Sequence, residues 1–146
     1  MIKFLAILTV LGFLNQVSGV RGQDAAEGTT KNITGKWTGN VNLTQARGNR
    51  LTLPLDFTLQ QNQSDIVGTL SFQFNGNVRT APTKGIFDQD TGDFTLLVEF
   101  GPLEHGRMHL KLIGQKITGS ALIVHDAPKS WGADEEGPVV LAKVNN

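Results

Sequence analysis

The chain has 146 residues, no cysteine and a formal charge of zero, with 39% hydrophobic and 18% charged residues. This composition supports a single globular domain and excludes disulfides, cysteine-ligated zinc, thiol catalysis and lipid attachment through cysteine. No basic stripe offers a surface to nucleic acid.

Met1-Ile2-Lys3 gives a short positive start, and Phe4 to Leu14 is an apolar run of signal-peptide length. The run is too short to span a bilayer comfortably, so no transmembrane segment is expected in the mature chain. Small residues fit a cleavage site after Gly19 or after Gly22. The second is preferred, giving a signal over 1–22 and a new terminus at Gln23. Its loss removes Lys3 and Arg21, taking 13 basic residues to 11 against 13 acidic. Residues 23–32 are polar and small, without apolar period, and read as a flexible lead-in to a domain over 33–146.

From Ile33 the apolar residues alternate. Ile33, Trp37, Val41 and Leu43 share one face with Gly35 and Gly39, opposite Thr34, Lys36, Thr38 and Asn40. Period two with one polar face predicts a half-buried strand. A turn at Gln45–Arg50 leads to Leu51, Leu53, Leu55, Phe57 and Leu59, with Pro54 demanding an edge, a bulge or a gap in the ladder. The third strand turns Ile66, Gly68, Leu70, Phe72 and Phe74 inward and ends at the hairpin signal Asn75-Gly76-Asn77. A fourth, from about Val78 to Phe87, is interrupted by Pro82, and its inward face reads either way.

After Asp88–Asp93 the fifth strand presents Phe94, Leu96, Val98 and Phe100. The turn Gly101–Gly106 leads to Met108, Leu110 and Leu112, with Arg107, His109 and Lys111 opposite. The seventh strand presents Ile117, Gly119, Ala121 and Ile123. Asp126 to Gly137 reads as the longest irregular segment, with Trp131 and an acidic run, before a last strand at about Pro138–Val144. Eight short strands with hairpin-length turns predict an all-β fold, a single antiparallel eight-stranded up-and-down barrel, with a two-sheet sandwich as the alternative. Ile33-Thr34-Gly35, Ile66-Val67-Gly68 and Ile117-Thr118-Gly119 form a weak internal repeat, read as structural.

Ile33-Thr34-Gly35-Lys36-Trp37-Thr38-Gly39 resembles the Gly-x-Trp first strand of calycin-type barrels: the lipocalins, fatty-acid-binding proteins and avidins. With Val67-Gly68-Thr69-Leu70 and the export signal, the chain resembles small exported bacterial barrels of lipocalin-like or avidin-like fold. That resemblance implies a barrel and leaves its function open. Gly35-Lys36-Trp37-Thr38-Gly39 also resembles the opening of nitrobindin-like haem barrels. The inward faces here are aliphatic and Phe, so no biotin site is carried over; haem would need a placed His, which is not assigned, and a haem- or metal-binding barrel stays a lower-ranked alternative.

The candidate chemistry is thin. His105 reads as a solvated turn residue, His109 as outward, and His125 as pointing toward a barrel mouth. Asp88-x-Asp90-x-Gly92-Asp93 faintly suggests a calcium loop, but the bidentate acid that closes such a loop is missing, and an Asp-stabilised turn explains it equally. No elbow surrounds a serine and no carboxylate pair is argued, so no catalytic residue, metal or cofactor is assigned and an enzyme ranks low. Two readings stand close together. One is an exported, non-catalytic barrel holding a small hydrophobic ligand, contacted by Trp37, Phe57, Phe72, Phe94, Leu110 and Trp131. The other is a structural or protein-interaction module with a filled core. The lack of cysteine leans toward a bacterial periplasmic or extracellular protein.

Overall fold

A computed structural model describes residues 31–126 and 134–145. The proposed signal, most of the lead-in and Trp131 lie outside them. Among the described residues, eight strands follow one another: β1 (Gly35–Thr44), β2 (Arg50–Asn62), β3 (Asp65–Phe74), β4 (Asn77–Phe87), β5 (Asp93–Gly101), β6 (Glu104–Ile113), β7 (Lys116–His125) and β8 (Glu135–Lys143). Each pairs antiparallel with the next, and β8 returns to pair with β1, from Trp37↔Lys143 to Thr44↔Glu136. Closure of the ring rules out the sandwich, and it leaves only the tip of the β3–β4 hairpin beyond its flanking ladders.

The alternation in the sequence becomes an inside and an outside. On β2, Leu55, Phe57 and Leu59 are buried, while Pro54, Asp56, Thr58 and Gln60 are exposed. The same rule buries Trp37, Val41 and Leu43 on β1, Phe94, Leu96 and Val98 on β5, and Met108, Leu110 and Leu112 on β6. Each large side chain so buried contributes roughly 1.5–3 kcal/mol. The β3–β4 connection is a two-residue turn with Asn75 at φ 53 and Gly76 at φ 79. Two positive angles in succession match the twist of a hairpin, which is why Asn-Gly stands there.

Three prolines show where the ladders stop. The β2–β3 pairing ends at Leu55↔Phe72, immediately before Pro54. The β4–β5 pairing ends at Thr83↔Val98, immediately before Pro82. Pro138 lies in a gap of the β1–β8 ladder, between Val41↔Val139 and Thr44↔Glu136. A residue without an amide proton is accommodated where no ladder bond is required.

The repeated Ile-x-Gly glycines do not share one role. A side chain at Gly68 would overlap the carbonyl oxygen of Thr58, and one at Gly119 that of His109, so the neighbouring backbone excludes a Cβ. Gly35 instead adopts φ +137, a conformation that side-chain-bearing residues rarely enter.

Two expectations are corrected. The last strand begins at Glu135, within the segment read as irregular, because Glu135, Glu136 and Gly137 pair with Ile123, Leu122 and Ala121 of β7. Polar residues that satisfy their backbone in a ladder at a barrel rim look like a loop in sequence. His105 is not a turn residue, since β6 starts at Glu104. On β4, which was ambiguous, Ala81, Thr83 and Phe87 face inward while Val78 and Ile86 are exposed.

Candidate ligand-binding cavity

One end of the barrel is shut. Trp37 is 1% exposed, and its indole Nε1–H donates to the carbonyl of Ile33 at 2.9 Å. Lys143 places its Nζ 5.4 Å from the Trp37 ring centroid and donates to the Thr34 carbonyl at 3.0 Å. Phe87 and Phe94 pack with ring centroids 5.6 Å apart, and Ile66 and Ile117 are fully buried. Large buried side chains converge here.

The other end holds a cavity of about 310 Å³. Its walls come from β1 (Val41, Leu43), β2 (Leu51, Leu53, Leu55), β3 (Leu70, Phe72) and, across the barrel, Met108, Ala121 and Ile123. The space exists because two inward positions at this level carry only a methyl group, Ala81 on β4 and Ala121 on β7. Phe72 and Phe100 meet edge to face, with ring centroids 5.4 Å apart, and form part of the lining.

The lip is polar. Gln45, Arg79, Glu104, His125 and Glu135 border the cavity. His125 Nδ1 lies 2.9 Å from Glu104 Oε2 across the β6–β7 ladder. Gln45 Nε2 donates to Glu135 Oε1 at 3.0 Å. The His125 backbone amide donates to Asp134 at 3.2 Å. Just beyond, His105 Nδ1 stands 3.0 Å from Asp126 Oδ2. An apolar chamber with convergent polar groups at one opening is the usual form of a small-molecule site.

Of the residues expected to touch a ligand, Phe72 lines this cavity. Trp37, Phe57, Phe94 and Leu110 are buried in the core and are not part of its walls, and Trp131 lies outside the described residues. His125 faces the mouth and His109 is exposed on the outer wall, as its spacing predicts. The Asp88 loop is an Asp-stabilised turn: Asp88 Oδ1 accepts from the amides of Asp90 at 2.9 Å and Thr91 at 3.2 Å. Among the described residues, no three His, Asp or Glu side chains are grouped to hold a metal ion. The aliphatic residues of β1 and β2, Ala81, Ala121, Arg79 and the two glutamates were missed as site residues. The available signal was the small side chain of Ala121 between Ile117 and Ile123 on the inward face of the seventh strand.

No family model and no curated protein sequence matches the chain. Among solved structures, the S-type phycobiliprotein lyase CPES from Guillardia theta is similar, with a TM-score of 0.56 and 10% sequence identity. The match covers 77% of this chain and 89% of that one. At this identity the likeness is one of fold, and it agrees with the calycin-type barrel that the Gly-x-Trp strand resembles.

Proposed function

We propose that this chain is an exported barrel that binds a small apolar molecule in its open half, without catalysing a reaction on it. The cavity of about 310 Å³ carries the reading. It lies at the lower end of the range for small-molecule pockets, and its walls are almost wholly aliphatic and aromatic. A structural module with a filled core would suit the closed half alone, and the cavity above it favours binding. That a barrel of this fold serves as a phycobiliprotein lyase is compatible with a role beyond packing, but no lyase chemistry is transferred at 10% identity. Export rests on Lys3, the apolar run Phe4–Leu14 and the small residues before Gln23.

Native mass spectrometry of the purified protein, with titration of an environment-sensitive apolar dye, tests the binding. The expected result is saturable dye binding that Ala121→Phe abolishes while the protein stays folded. Dye binding unaffected by Ala121→Phe, or ligand-free protein that takes up no dye, would reject the proposal. Amino-terminal sequencing of protein recovered outside the cytoplasm should begin at Gln23; a chain still beginning at Met1 would reject export by this signal.

A further inference from the structure

We propose that the β2–β4 side of the barrel mouth is a docking surface for an anionic lipid bilayer. The proposal concerns the outside of the rim and goes beyond the occupancy of the cavity. Four connections stand at the open end of the barrel. Two that are neighbours carry arginine: Arg47 and Arg50 on β1–β2, and Arg79 on β3–β4, all three exposed. No acidic residue occurs from 45 to 55 or from 66 to 87. The other two carry the acids, Glu104 on β5–β6 and Asp126, Asp134, Glu135 and Glu136 on β7–β8, with His105 and His125 beside them. Lys129 of that last connection lies outside the described residues. Charge at the rim is therefore segregated, basic on one side and acidic on the other. The boundary falls at β1, where Thr44 lies between Arg50 and Glu136, and at β5, whose Glu99 pairs with His105.

The fold makes the basic side project and gives it apolar side chains. Beyond Phe72 on β3 and before Thr83 on β4, the hairpin pairs only with itself, because the ladders to β2 and β5 have ended at Leu55 and Val98. Phe74 is 38% exposed and Val78 64% exposed on this ribbon. Phe74 stands on the face that borders the cavity, and Val78 on the outer face. The β1–β2 turn is closed by the Gln45 amide, which donates to the Asn49 carbonyl at 2.7 Å, and by the Gly48 amide, which donates to the Gln45 carbonyl at 3.1 Å. It holds Arg47 at φ 69, a conformation costly for a residue with a side chain. Leu103 is exposed on the acidic side, where Glu104 beside it opposes an anionic surface.

An anionic bilayer uses both features together. Guanidinium groups pair with phosphate oxygens at the headgroups. Phe74 and Val78 enter the boundary between headgroups and acyl chains, where apolar burial and charge attraction add. A purely acidic partner would engage the arginines and leave these two side chains in water. A neutral lipid surface would bury them and forgo the arginines. The carboxylates on the far side of the mouth are turned away when the barrel docks tilted on its basic side. They are then screened, since the Debye length is about 8 Å at physiological salt. Docking in this way sets Leu51, Leu53 and Phe74, which border the cavity, next to lipid. An apolar molecule could then pass between bilayer and barrel without crossing water.

Co-sedimentation of the purified exported protein with vesicles tests the proposal, and circular dichroism checks that each variant is folded. The wild type is expected to bind vesicles of equal parts phosphatidylglycerol and phosphatidylcholine about tenfold or more tighter than phosphatidylcholine alone, with the preference falling as salt rises. Arg47→Gln and Arg50→Gln, which lie outside the cavity wall, should each weaken binding about fivefold. Val78→Ser, also outside that wall, should weaken it about threefold or more. Lys116→Gln at the shut end and Glu136→Gln on the acidic side should not weaken it. Absence of vesicle binding, equal binding to both vesicles, or weakening by Lys116→Gln as large as by Arg47→Gln would overturn the proposal. Loss with the arginine variants but not with Val78→Ser, together with equally tight binding of polyglutamate, would overturn the lipid assignment in favour of an acidic protein. Dye uptake is read separately. A barrel that takes up dye but binds no vesicle keeps its ligand site and loses this surface, and one that binds vesicles but no dye does the reverse.

Discussion

Phe72 and Phe100 touch edge to face across the inward face of β4, with ring centroids 5.4 Å apart, where Ala81 leaves room for them to meet. The contact joins β3 to β5 at the level where β4 has stopped pairing with β5. It stabilises the wall of the cavity by side chains where backbone bonds have ended. Phe72→Ala and Phe100→Ala should each destabilise the protein by about 2–3 kcal/mol, less than a fully buried Phe because both rings are partly exposed. The double mutant should show a coupling of about 0.5–1.5 kcal/mol. Urea unfolding of the four proteins measures it, and strict additivity would show that the rings do not support one another.

The closed end depends on one hydrogen bond inside apolar packing. Trp37→Phe keeps an aromatic ring but leaves the Ile33 carbonyl, bonded to the indole at 2.9 Å, without its donor. A stability loss of about 1–3 kcal/mol is expected from the unsatisfied group. Denaturant midpoints check it, and a loss below about 0.5 kcal/mol would mean that the carbonyl finds another partner.

Gly119→Ala should be poorly tolerated, since the added methyl would overlap the His109 carbonyl and force β6 and β7 apart. Gly101→Ala is the control, because nothing lies near its missing side chain and its φ is not positive. Thermal unfolding should separate the two clearly, with Gly101→Ala close to wild type. Equal melting temperatures would contradict the close strand approach.

Thr83 is 4% exposed and its hydroxyl has no hydrogen-bond partner among the described residues. Replacing it with isosteric valine removes a buried polar group at little steric cost. Thr83→Val should therefore raise stability by about 1 kcal/mol, read as a higher urea midpoint at unchanged slope. A lower midpoint would show that the hydroxyl is satisfied in solution.

Glu104 and His125 are 2.9 Å apart, but their side chains are 42% and 21% exposed. Water screens such a pair, so Glu104→Gln should cost no more than about 1 kcal/mol. Urea unfolding checks this, and a larger loss would give the lip a structural weight that its exposure does not suggest.

The alternation of apolar and polar residues was enough to place six of the eight inward faces, because each strand packs one face against a core and wets the other. Leu51 to Leu59 and Phe94 to Phe100 state it without ambiguity. β4 resisted, since its apolar Val78 and Ile86 lie outside while Ala81 and Thr83 lie inside. Only pairing with β3, Leu70 against Ala81, assigns that face. The start of β8 was hidden for a related reason: Glu135 and Glu136 have no strand-like character of their own and become strand by pairing with Ile123 and Leu122.

By itself, then, the amino-acid sequence determined the class of fold, the strand order and most of what is buried, since these follow from local periodicity and turn chemistry. Closure of the barrel, the cavity and its lip were decided by tertiary structure. Aromatic residues such as Trp37, Phe57 and Phe94 suggest binding when read singly, yet they fill the shut half. The space arises where Ala81 and Ala121, forty residues apart in the chain, face the same interior. Empty volume is a property of several strands together, and no single stretch of sequence encodes it.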